Sequence, residues 1–155
     1  MTTKDTFTDE EWTRVVRAPF VAGLAISLAD PGGPIEAAKE TMATLKSATN
    51  PPSREQLLTE VALDVQTMAQ QKRHPLKGYK PASGSAILDE LRATQALVAA
   101  KATPEEAEAY GAWLTASAQA AAEAAKDGGF MGFHAQRISD GEQAMLDQVR
   151  QAVTD

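Results

Sequence analysis

Five carboxylates stand at two breaks in an alanine-rich chain. Asp30 and Glu36 flank the pair Gly32-Gly33, and Asp127, Asp140 and Glu142 flank Gly128-Gly129. Oxygen ligands gathered at helix junctions are the donors a hard divalent cation takes, so these five are the candidate metal ligands. Their spacing departs from a calcium loop: with Asp127 as the first ligand, Gly129 and Met131 fall where the third and fifth ligands belong. Glutamate in the first turn of a helix has another use, since it caps free N–H groups and faces the positive end of the helix dipole. Both uses remain open at the level of sequence.

Between the second Gly-Gly pair and Asp140 lies a glycine-flanked insert holding Phe130, Met131, Phe133 and His134. An exposed apolar loop of this kind could grip a partner. The same rings could fold back as a lid over a core that lacks bulk. His134 could serve as a ligand or a proton carrier, though no paired nucleophile accompanies it. The remaining cluster is basic: Lys72, Arg73, Lys77 and Lys80, with His74 and Tyr79 between them. It could hold a phosphate or an acidic protein surface, or serve as a solvated connector. There is no Walker loop, G-x-G-x-x-G fingerprint, G-x-S-x-G elbow or H-E-x-x-H pair.

The composition narrows the classes. At 155 residues the chain fits one domain, 1–155, with 43% hydrophobic and 23% charged residues and only 5% aromatics. Alanine, leucine and valine must therefore fill most of the core. A net charge of −6 disfavours nucleic acid as a partner. With no cysteine, disulfides, thiol nucleophiles and zinc–thiolate sites are excluded. Acidic Asp5, Asp9, Glu10 and Glu11 precede the apolar run from Phe20 to Ala29, unlike a signal peptide, and that run is too short to span a bilayer. A cytoplasmic location is expected, with neither a transmembrane segment nor contact with a membrane surface.

The elements that position these residues read as helices throughout. Thr8 and Glu11 form a capping box, and Trp12, Val15, Val16, Phe20 and Leu24 recur at helical spacing, with Pro19 predicting a bend near Arg17. Pro34 opens a second helix to about Ser47, and Ser53 and Gln56 form a capping box for a third to about Gln71. Residues 72–85 form a long basic connector. A fourth helix spans about Ala86 to Lys101, Thr103 and Glu106 cap a fifth reaching Lys126, and Ser139 and Glu142 cap the last. No segment alternates with the period of a strand. The expectation is an all-α, single-domain bundle of six or seven helices, with residues 1–7 a flexible N-terminal tail. The two helix-break-helix phrases suggest an internal pseudo-repeat.

Those phrases carry a resemblance. An apolar helix, a short Ala-Asp/Lys-x-Gly break and a helix with an early glutamate are similar to the tellurite-resistance TerB-like helical domains. The second copy resembles them through Asp127, Gly128, Ile138, Ser139 and Glu142, interrupted by Phe130 to Arg137; the first has Pro31 in place of a glycine. The resemblance implies an all-helical fold and nominates Asp30, Glu36, Asp127 and Glu142 as acidic residues that hold metal.

The sequence thus leads to a small all-helical binding or stress-associated protein that takes a divalent cation or a protein partner at its Gly-Gly junctions. The alternative is a homo-oligomeric interaction module with no small-molecule site. A third reading is an enzyme with a helical pocket built around His134 or His74 and nearby carboxylates.

Overall fold

The computed structural model describes residues 2–29, 34–127 and 138–154, without the side chains of residues 34–36 and 125–127. A 3-10 turn at Lys4–Thr6 is followed by six α-helices: α1 (Asp9–Ala29), α2 (Pro34–Ala48), α3 (Gln56–Gln70), α4 (Gly84–Lys101), α5 (Pro104–Asp127) and α6 (Asp140–Thr154). No strand occurs among the described residues, and the protein is an all-α helical bundle. No described helix is long and apolar enough to cross a membrane.

Three of the predicted capping boxes form. Thr8 and Glu11 exchange bonds of 2.8 and 3.1 Å, Thr103 and Glu106 bonds of 3.2 and 3.1 Å, and Ser139 and Glu142 bonds of 3.3 and 3.1 Å. The box at Ser53 and Gln56 does not. Glu55 occupies the cap position of α3 without a side-chain bond, and the Leu57 N–H donates instead to Glu106 Oε2 of α5 at 3.1 Å. A carboxylate from another helix thereby satisfies an orphan donor that the local sequence leaves open.

Helix α1 runs through Pro19 without dividing. Pro19 has no N–H to give the Val15 carbonyl four residues earlier. Tyr110 of α5 donates its hydroxyl to that oxygen at 2.7 Å, within the buried core. Burial, reinforced by the charge of Glu90, pushes the Tyr110 hydroxyl well above its usual range, so it stays a donor.

The expected N-terminal tail also needs correction. Thr2 is buried, its N–H and hydroxyl both donating to the Glu106 carboxylate, and Phe7 is buried beside Trp12 with ring centroids 5.8 Å apart. Spare acceptor capacity on Glu106 and the apolar area of Phe7 hold the segment as a strap across the bundle.

Helix α5 is the hub, packing against α1, α2 and α6 and touching α3 and α4. Its Tyr110 and Trp113 are the largest fully buried side chains, and the Trp113 indole donates to the Ser47 carbonyl at 2.8 Å near the end of α2. Alanines at 118, 121 and 122 complete its inner face. Close approach is set by glycine at two crossings. Gly23 of α1 lies against Thr44 of α2, and a Cβ on Gly111 would sit 2.9 Å from the Val153 carbonyl of α6. At the opposite end of α6, a Cβ on Gly141 would lie 3.2 Å from the Ala29 carbonyl at the end of α1. The end of α1 and the start of α6 therefore lie together.

Candidate functional site

A cleft that combines apolar and charged side chains lies away from that end. It measures about 350 Å3 and opens where the strap, α1, α3 and the connector after α3 meet. Trp12, Val16, Met68 and Pro75 supply apolar surface, and Lys4, Asp64 and Arg73 bring charge. Such a mixture, mainly apolar with a few placed polar groups, is the usual composition of a ligand site.

Each wall follows from local sequence. Trp12 sits in the first turn of α1 because the Thr8–Glu11 box starts the helix there. Its indole N–H donates to Asp64 Oδ2 of α3 at 2.6 Å, and Lys4 of the strap reaches the same oxygen at 3.6 Å. The indole thereby orients the carboxylate, and the ammonium partly offsets its charge. The hydroxyls of Thr13 and Thr67, also in the lining, donate to the helix carbonyls of Asp9 and Leu63.

Arg73 arrives by an unusual backbone turn. Lys72 adopts φ +57°, alone among the described non-glycine residues in having a positive φ. The Lys72 N–H donates to Ala69 O at 3.1 Å and the Arg73 N–H to Met68 O at 2.8 Å, the paired bonds that close a helix with a left-handed residue. Glycine normally fills that position. Here the lysine takes it, and Arg73 turns back to line the cleft beside Met68.

The rest of the connector is pinned to α1. Arg17 lies 4.6 Å from the centroid of the Tyr79 ring, and Arg14 and Arg17 both bond Glu90 of α4, at 3.1 and 3.2 Å. Burial alone would raise the Glu90 carboxyl, but the two arginines hold it below its usual value. The Tyr79 hydroxyl is pushed up by burial and by Glu90, against the pull of Arg17. His74 meets Phe20 edge-on at 5.3 Å and accepts the Leu76 N–H on Nδ1 at 3.0 Å, and burial lowers its pKa. The basic cluster is thus divided by the fold: Arg73 serves the cleft, His74 and Tyr79 anchor the connector, and Lys77 and Lys80 face solvent.

A second cavity brings His74 near Ser27 and Glu40, with the Ser27 hydroxyl donating to Glu40. Its volume is about 50 Å3, far below the roughly 300 Å3 at which ligand sites begin.

Of the five predicted metal ligands, two have described side chains. Asp140 is exposed in the first turn of α6, and Glu142 is buried there, accepting from the Ser139 N–H and hydroxyl. Glu36 and Asp127 lie in α2 and α5 with side chains outside the description, and Asp30, Phe130, Met131, Phe133 and His134 lie outside the described residues. Among the described residues no group of three or more His, Asp and Glu side chains is placed to hold a metal ion. Sequence reasoning passed over Lys4, Asp64, Met68 and Pro75. Asp64 looks like any charge on the outer face of a helix, and only its pairing with Trp12, 52 positions away, marks it.

No family model, no curated protein and no solved structure matches the chain.

Proposed function

We propose that the protein is a cytoplasmic binding protein whose ligand site is the Trp12–Asp64–Arg73 cleft. The observation that carries this reading is the cleft's construction. Its apolar surface and charges are assembled from four separate segments, and the one left-handed non-glycine residue of the described chain turns Arg73 into it. Backbone strain of this kind gathers at sites of function. The lining supplies contact surface, a fixed carboxylate and cations, which are the parts a binding site needs.

The reading is tested by calorimetry with two probes of matched shape, 4-phenylbutanoate and 4-phenylbutan-1-ol. Saturable one-to-one binding of at least one is expected, and Thr67→Trp, an exposed lining position, should abolish it by filling the cleft. Binding of neither probe, or binding that survives the filled cleft, contradicts the reading.

A second reading keeps the Gly-Gly junctions as a site for a divalent cation or a protein partner. The closeness of Ala29 to Gly141 favours it, because these residues flank the first and second junctions. A native-state ligand must raise the melting temperature. Calcium, manganese or zinc should then do so, and no change with any of them removes the metal version.

A further inference from the structure

Resting on the cleft reading, we infer that the ligand is an organic anion: a carboxylate carried on a compact apolar body, with Arg73 as the residue that holds the carboxylate. The charges lining the cleft are unequal in availability. Asp64 is committed, since the Trp12 indole bonds its Oδ2 and the Lys4 ammonium stands at the same oxygen. That pairing partly offsets the charge of the one acid in the lining and weakens its repulsion of an incoming anion. Arg73 makes no side-chain hydrogen bond or ion pair with any described residue, and its side chain is exposed. The cleft therefore presents one uncommitted charge, and it is positive.

Geometry and surroundings agree with that polarity. A guanidinium offers parallel N–H donors that match the two oxygens of a carboxylate. The Arg73 backbone is tied to Met68 O at 2.8 Å, which fixes where the side chain leaves the helix end. The same lining carries the apolar surfaces of Met68, Pro75, Val16 and Trp12. A molecule with its charge at Arg73 and its body over these side chains satisfies both halves of the lining. At about 350 Å3 the cleft suits a small organic acid and is near the lower end of ligand-site volumes, roughly 300–1,000 Å3. A neutral body of the same shape would leave the guanidinium without a partner, and an amine would meet it with like charge.

The test compares three isosteric probes by calorimetry on the full chain: 4-phenylbutanoate, 4-phenylbutan-1-ol and 4-phenylbutylammonium. The acid is expected to bind about tenfold tighter than the alcohol, the scale of one charge-assisted contact, with the ammonium weakest. Arg73→Gln should remove the preference, so that acid and alcohol bind this variant with equal affinity, and Arg73→Glu should place the ammonium first. Alcohol binding equal to or tighter than acid binding overturns the inference while the cleft remains a ligand site. An acid preference that persists in Arg73→Gln overturns it as well. If none of the three binds, the cleft reading fails and the inference fails with it.

Discussion

The Tyr110 hydroxyl donates to the Val15 carbonyl at 2.7 Å, across 95 positions of chain, and so takes the place of the N–H that Pro19 lacks. The pairing lets a proline lie buried in the middle of a 21-residue helix without leaving an acceptor unsatisfied in the core. It also ties the helix that carries Trp12 to the hub of the bundle.

Tyr110→Phe should therefore cost about 1–3 kcal/mol, the price of an unpaired buried polar group. For a domain of this size that lowers the melting temperature by roughly 2–4 °C per kcal/mol. In a Pro19→Ala background the same substitution should cost less, because the alanine N–H again reaches Val15 O. Equal costs in both backgrounds, measured as a double-mutant cycle, would show that the two residues act independently.

Glu106 provides a dependence on pH. Burial alone would raise its carboxyl. Hydrogen bonds from Thr2 and from the N–H groups of Thr103 and Leu57 hold it below the usual 4.5. A carboxyl depressed on folding contributes stability that is fully present above its unfolded value and is lost as pH falls through the folded one. Denaturant unfolding should show stability falling below about pH 4.5, and Glu106→Gln should flatten that fall while costing about 2–4 kcal/mol at pH 7. An unchanged acid limb in Glu106→Gln would place the dependence on other groups.

These two residues also show where sequence reading succeeds and stops. Thr103 with Glu106 was legible as a cap because both partners lie within one turn, and the helical stripes were legible because burial repeats every third or fourth residue. Leu57, Val61, Val65, Leu146 and Val149 are buried as their spacing implies. The second use of Glu106 on Leu57 spans 49 positions, and that on Thr2 spans 104. No local pattern encodes such pairings, so in the sequence the strap reads as a tail and the donor that stands in for the missing Pro19 N–H is not visible. The cleft was hidden for the same reason. Trp12 reads as core, Asp64 as a solvated face and Arg73 as one cation of four, until tertiary contacts bring them together.

Gly111→Ala should destabilise the protein by about 1–3 kcal/mol, as overpacking does. The added methyl would meet the Val153 carbonyl at 2.9 Å, and a backbone atom in a packed helix yields less readily than a side-chain tip. Thermal unfolding measures it, and a neutral result would mean that α5 and α6 separate more easily than their packing indicates.

Lys72→Gly should stabilise the protein by about 0.5–1 kcal/mol. A side chain at φ +57° costs about 1–2 kcal/mol, and the greater freedom of glycine in the unfolded chain returns part of it. Loss of stability in this variant would mean that the lysine side chain contributes a contact worth more than the strain.

The central claim, that a small molecule occupies the cleft, is tested most directly by the indole N–H signals of a 15N-labelled sample. The chain has two tryptophans: Trp12, bonded to Asp64 at the cleft, and Trp113, buried against Ser47 and absent from the lining. On titration with 4-phenylbutanoate the Trp12 signal should move saturably while that of Trp113 stays in place. A Trp12 signal that does not move, or one that moves only together with that of Trp113, would contradict the account.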